Sequence, residues 1–167
     1  MLGLGLTALR TAVADPTFAE ASWEFLAIGS RNSLPALPLR GGAELRPAPW
    51  VDYADDAKLL RKSDILLCPM LSPHTSYPVL EMAASGGIVV TNSFATKSEA
   101  GLTDISPNIV AVPATEPGFV QGLITAATRV AHGASGEASM NRPTDWRTAL
   151  SAVAAELAAR FRDIVAA

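Results

Sequence analysis

DILLCPMLSPHTSYPVLEMAASGGIVVTNSFATK, residues 64–97, is the stretch whose reading decides the fold. Ile65 to Pro69 is an unbroken apolar run, the pattern of a strand covered on both faces. A polar loop follows, and Pro78 suits the first position of a helix that Gly86-Gly87 closes. Ile88 to Thr91 is a second buried strand. Strand, loop, helix and strand in that order make one turn of a parallel α/β sheet. Such sheets bind ligands beyond the carboxyl ends of their strands, so the loops after Pro69 and Thr91 lie on the edge where a site belongs.

The flanking sequence extends the same alternation. Leu2, Leu6, Leu9 and Val13 fall at helical spacing, and Asp15-Pro16 ends that helix. Trp23 to Ile28 reads as a strand, with a tight turn at Gly29-Ser30-Arg31. Ser33 to Gly42 reads as a loop and Glu44 to Pro47 as a short strand. Asp52 caps a helix with Asp55 in its first turn and Arg61-Lys62 in its last, as the helix dipole favours. Ile109 to Val112 is a further strand. Thr115 opens a helix in which Val120, Leu123, Ile124, Ala127 and Val130 share a face, and Gly133 ends it. A small-residue linker at 133–143 leads to a last helix, 144–166. Thr144 caps it, and Trp146, Leu150, Val153, Leu157, Phe161 and Ile164 repeat every three or four residues. The expectation is a single domain over residues 1–167, a Rossmann-like parallel sheet with helices on both faces.

Composition narrows the function. The chain has 167 residues, 49% of them hydrophobic, enough for a substantial core. A net charge of −3 gives no basic footprint, so nucleic acid is not an expected partner. No apolar run reaches the roughly 20 residues of a membrane-spanning helix. Arg10 interrupts the apolar start and no basic residue precedes it, which argues against a secretory signal and for a cytoplasmic protein. Cys68, the lone cysteine, excludes an internal disulfide and a cysteine-based zinc site, and reads as a small buried hydrophobe.

The residues between Ser72 and Glu81 carry the chemistry. A helix starting near Pro78 leaves amides around Tyr77 to Leu80 without helical acceptors, and its dipole adds partial positive charge, so a phosphate finds donors there. Thr75 and Ser76 add hydroxyls, and His74 adds a ring nitrogen. Glu81 falls one turn in, on the face of Tyr77 and Pro78, within reach of a ribose. The same pattern is also ordinary capping chemistry with a solvated glutamate, and the local residues leave both readings open.

Leu80-Glu81-Met82-Ala83-Ala84-Ser85-Gly86 resembles the signature of the C-terminal, donor-binding domain of GT-B fold glycosyltransferases. SPHTSYPVLEMAASGGIVVTNSFATK is similar to bacterial rhamnosyltransferase-like enzymes of surface-glycan synthesis, as are LRPAPWVDYADDAKLLRKSDI (Leu45 to Ile65) and WEFLAIGS. The similarity runs from about Leu2 to Ala131. It implies a nucleotide-sugar as donor substrate, dTDP-rhamnose among the candidates, and no other cofactor. Glu81 would hold the ribose hydroxyls, while Thr75, Ser76 and Tyr77 would face the diphosphate and sugar. His74 would steady a phosphate oxygen, and Ser30 and Arg31 would lie beside the phosphates. Pro49 and Trp50 would contact the base, and Asn92 and Lys97 would approach sugar or acceptor. No Asp-x-Asp pair is present, so metal-independent transfer is expected.

Two departures bear on that reading. Many relatives carry a second glutamate eight positions before the ribose-binding one; here Pro73 stands there, so that direct sugar contact is either lost or passes to His74. The resemblance also begins at the helix after the first strand of the donor domain. That strand lies in the middle of a doubly wound sheet, and its neighbours would be left with open edges. The expected partners are therefore an acceptor-binding N-terminal domain, or a separate chain supplying one. Self-association through the open edges, and peripheral membrane attachment of the whole enzyme, follow from the same resemblance. The alternative is a non-catalytic nucleotide-binding module that docks with an acceptor-domain chain. A flavodoxin-like receiver is disfavoured, because the acidic cluster such domains carry at their strand ends is absent.

Overall fold

The computed structural model describes residues 1–29, 35–134, 138–143 and 145–165, with side chains in the last helix given through Arg162. Helix α1 (Leu2–Ala12) and a short α2 (Pro16–Ala19) precede strand β1 (Phe25–Ala27). Strands β2 (Leu37–Pro38) and β3 (Glu44–Pro47) lead to α3 (Tyr53–Lys62). The central unit is β4 (Ile65–Cys68), α4 (Tyr77–Ala84) and β5 (Ile88–Asn92). Then come α5 (Glu99–Ile105), β6 (Ile109–Val112), α6 (Glu116–Ala131) and α7 (Trp146–Val165).

The strands form two three-stranded sheets, ordered β1-β3-β2 and β4-β5-β6. In the second, every pairing is parallel, with Leu67 opposite Val90 and Val90 opposite Val110. In the first, β1 runs parallel to β3 while β2 runs antiparallel to it. Successive residues of a strand point to opposite faces, and the core divides accordingly. Ile65, Leu67, Ile88, Val90 and Val112 pack with α1, α2 and α6, and Phe25 and Leu45 of the first sheet join them. Leu66, Val89, Ile109 and Ala111 pack on the other side with α3, α4 and α5. The expected Rossmann-like architecture, a parallel sheet flanked by helices, is what the chain forms.

Strand β5 is the centre: all five of its residues are buried. Each of its aliphatic side chains removed from water contributes about 1.5–3 kcal/mol. Strand β4 departs from expectation, because its continuous apolar run is only half-buried along its whole length. Among the described residues it is bonded to β5 alone, and its other edge is unpaired.

Several elements escaped the sequence pattern for local reasons. Strand β2 contains Pro38, and its two residues pair at the outer edge of β3, where a missing N–H is tolerated. Helix α5 is seven residues long and contains Gly101, so it carries little periodicity; the Ser98 hydroxyl caps it by accepting from Gly101 N at 3.1 Å. Helix α2 is a single turn on the Asp15 cap, which the sequence reading took as a helix end. Thr144 lies outside the described residues, and Asp145 Oδ1 accepts the Thr148 N–H at the start of α7 at 2.8 Å. The 133–143 linker is partly anchored: Asn141 N donates to Ile105 O at 2.8 Å, and Arg142 pairs with Asp104. Helix α7 forms as the periodicity predicts, but Trp146, Leu150, Val153, Leu157 and Phe161 are all exposed.

Helix α6 reaches the sheet at Gly122. A Cβ there would meet Val90 Cγ1 at 2.8 Å and Val112 Cγ1 at 3.0 Å, both in the packed centre. Gly122→Ala is therefore expected to destabilise the domain by about 1–3 kcal/mol through overpacking. Urea denaturation should show an earlier midpoint at unchanged slope, and an unaltered midpoint would show that α6 moves away at no cost.

Candidate functional site

The site is built where β4 and β5 end side by side. The Thr91 hydroxyl donates to Cys68 O at 2.8 Å. The Asn92 carboxamide spans the gap to the chain leaving β4: Oδ1 accepts from Met70 N at 2.8 Å, and Nδ2 donates to Met70 O at 2.9 Å. Its second N–H goes to Ser93 O at 3.0 Å. Asn92 is fully buried and both of its donors are committed to backbone. The expectation that Asn92 approaches a sugar is corrected: it is a clamp that fixes where the loop begins.

The loop organises itself around His74. His74 N donates to the Ser72 hydroxyl at 3.1 Å, and the ring Nδ1 accepts the Ser76 N–H at 2.9 Å. A nitrogen that accepts a backbone N–H cannot itself carry a proton, so the neutral ring holds its hydrogen on Nε2. The ring stands edge-on to Tyr77, with centroids 5.8 Å apart. Ser76 has φ +78°, a region that non-glycine residues enter at a cost of about 1–3 kcal/mol. Ser76 is the N-cap of α4, yet its side chain caps no amide. Its hydroxyl instead lies near the Cys68 thiol and draws that thiol's pKa down.

That arrangement sets which amides face outward. Ser76 N–H is taken by His74, Pro78 has none, and Leu80 N donates to Ser76 O at 3.4 Å. Val79 is fully buried, and among the described residues no hydrogen bond occupies the amides of Thr75 or Tyr77. The donor set expected from Tyr77 to Leu80 thus narrows to these, at the positive end of the helix dipole.

Lys97 is the unusual group. Phe94 and Lys97 exchange backbone hydrogen bonds of 3.0 and 2.9 Å across a tight turn in which Ala95 has φ +50°. This turns the lysine inward, and it is only 5% exposed. Its Nζ is buried without a hydrogen-bond partner. Burial holds the ammonium below its ordinary 10.5, and the neighbouring Cys68 pulls weakly the other way. Burial likewise pushes the Cys68 thiol up from its ordinary 9.0, outweighing the Lys97 charge and the Ser76 hydroxyl that draw it down. Cys68 thus lies within electrostatic reach of Lys97 and next to Ser76, the N-cap of α4. A buried cation without an acceptor, on the same sheet edge as unoccupied helix amides, favours an oxyanion.

Glu81 lies one turn further along α4, half-buried. It opens onto a depression of about 230 Å³ between α3 and α4, lined also by Tyr53, Asp56, Leu60 and Ser85. Pro49 and Trp50, on the loop before α3, are exposed, Trp50 by 58%. Ser30 and Arg31 lie outside the described residues. The structure gathers His74, Ser76 and Tyr77 at one helix end, with Thr75 in the same loop and Glu81 on the next turn, while Lys97 is linked to this end through its electrostatic reach to Cys68. Cys68 was missed as a member of this cluster, because an apolar strand masks it; its place at the strand's carboxyl end was the available signal. Tyr53 and Asp56 were missed because only the packing of α3 on α4 brings them to Glu81.

The family model described as WsaF, C-terminal domain, matches residues 1–124, about three-quarters of the chain and all of the cluster just described. No curated protein matches the chain.

Lys97 gives a pH test. The unfolded chain holds the lysine proton to about 10.5, whereas the folded chain releases it earlier, so stability gains as pH rises between the two values. Cys68 acts oppositely above 9.0, since its folded thiol keeps a proton that the unfolded one loses. The difference between wild type and Lys97→Met isolates the lysine. The variant is expected to be more stable near pH 7 by about 1–3 kcal/mol, with the advantage shrinking as pH is raised. A pH-independent difference would mean that the ammonium is not under strain.

Proposed function

The chain belongs to the WsaF C-terminal domain family, a glycosyltransferase-associated domain, and on that footing we propose that it is the donor-binding part of a glycosyltransferase. Its ligand is a nucleotide-sugar, with dTDP-rhamnose the donor suggested by the sequence resemblance and a surface polysaccharide the acceptor. The observation that carries the reading is the buried, unpartnered Lys97 ammonium beside the unoccupied amides of α4.

In this reading the diphosphate lies against Lys97 and the Thr75 and Tyr77 amides. His74 Nε2–H donates to one of its oxygens. Glu81 accepts hydrogen bonds from the ribose hydroxyls in the depression between α3 and α4, and Pro49 and Trp50 flank the base. The negative charge that grows on the departing diphosphate is met by donors already in place, which need no reorganisation as the glycosidic bond breaks. The acceptor hydroxyl requires a base. Cys68 is held protonated, Lys97 faces the leaving group and His74 Nδ1 is engaged, so the base comes from an acceptor-binding domain or chain.

Calorimetric titration with dTDP, UDP and GDP tests this. One nucleoside diphosphate is expected to bind selectively, and Glu81→Gln and Lys97→Met are each expected to weaken it about 10–100-fold, the range for a lost charged hydrogen bond. Absence of binding by the folded chain, or binding indifferent to both substitutions, would overturn the assignment. Binding that persists with no sugar transfer from the matching nucleotide-sugar, even with an acceptor-binding domain supplied, would favour the non-catalytic module that docks with an acceptor-domain chain.

A further inference from the structure

Helix α7 is anchored near its root and bare along its length. Ahead of it, Asn141 N donates to Ile105 O at 2.8 Å, Asn141 Nδ2 donates to Asp104 O at 3.1 Å, and Arg142 pairs with Asp104. Met140 packs against the core cluster that holds Leu102 of α5. From Trp146 to Arg162, by contrast, every side chain is exposed except that of Ala159, which is half-buried. The helix also lies beyond the residues that place the chain in its family, so the donor-site reading gives it no task.

The helix has two unlike faces. At 3.6 residues per turn, Trp146, Leu150, Val153, Leu157 and Phe161 fall within an arc of about 80°. Each of these side chains is at least 49% exposed. Arg147 borders the stripe on one side and Arg160 on the other, while Arg162 lies further round. Thr148, Ser151, Ala155 and Ala158 make the opposite face small and weakly polar. The helix carries three arginines against the two carboxylates Glu156 and Asp163, in a chain whose net charge is −3. Glu156 is held by Arg160 at 2.8 Å, whereas among the described residues no ion pair engages Arg147 or Arg162.

We propose that α7 is a membrane-surface helix, which lays the stripe from Trp146 to Phe161 into the headgroup boundary of an anionic lipid bilayer. Aromatic and leucine side chains on one face, with arginines at its borders, are the composition of helices that lie in that plane. The arginine stems run along the lipid chains while their heads stay among the phosphates. The Trp146 indole, an apolar body with one N–H, suits the same boundary. The helix rests on the bilayer rather than crossing it, since no described helix is long and apolar enough to span one. A second copy of this chain is the poorer occupant. Both borders of the stripe carry arginine, so two stripes set face to face bring like charges together in either orientation. Glu156 offers little relief, because Arg160 of its own helix already holds it.

The test mixes the full chain with vesicles of phosphatidylcholine alone, or of equimolar phosphatidylcholine and phosphatidylglycerol. Cosedimentation reads the bound protein, and tryptophan emission reads insertion, with Trp146→Phe as its blank. Binding is expected to be tighter on the anionic vesicles by about tenfold or more, and to weaken as salt is raised. The emission should shift to the blue in the wild type and not in Trp146→Phe. Leu150→Gln combined with Leu157→Gln is expected to weaken binding about tenfold or more. Both leucines are exposed, so the urea midpoint of that variant should stay where it was. Arg147→Gln combined with Arg162→Gln should remove the preference for phosphatidylglycerol. A chain that ignores both vesicle types, binds them equally, or binds regardless of the leucine pair would overturn the proposal. A dimer in free solution that the leucine pair dissociates would assign the stripe to a second copy and overturn it as well.

Discussion

The pairing of β4 with β5 is the constraint on which the site depends. Strand β5 is buried on every residue, so its register is fixed by packing on both faces. Thr91 and Asn92 then transmit that register to the end of β4 and the chain leaving it through three side-chain hydrogen bonds. The loop to α4 is short and starts from a fixed point. The same strand leads into the turn that folds Lys97 inward. The charged group and the helix amides are therefore placed by one rigid strand end, the usual way in which a fold positions loop residues.

Two costs are concentrated at this edge. Ser76 occupies a backbone region that favours glycine, and Lys97 holds its charge out of water with no partner. Neither contributes to the core, and each is of a kind that mutation relieves easily. Their coincidence at one helix end, with His74 committed to holding the loop through Ser76, fits an anion site prepared in advance better than incidental strain. The lysine's lowered proton affinity fits the same picture: an oxyanion restores the charge that burial disfavours.

Much of this was legible in the residues. Unbroken apolar runs located β4, β5 and β6, and the caps Asp52 and Thr115 fixed the starts of α3 and α6, because those signals are local. The loop before α4 and its hydroxyls were legible for the same reason. The division into two sheets was not legible in local pattern, since pairing partners are set by tertiary contact. Asn92 was misread because a polar residue at a strand end suits a ligand or a clamp equally well until its partners are known. The burial of Lys97 was invisible, because it rests on a four-residue turn with a positive φ at Ala95 and no glycine to announce it.

The half-buried apolar run of β4 joins the architecture to the chemistry. A strand that reads as central in sequence yet has a free edge in the fold is in a central environment on one side only. Its exposed edge ends at Cys68, the residue that touches Ser76 and lies within electrostatic reach of Lys97. Covering that edge would dry the cluster on its open side and strengthen each electrostatic contact within it.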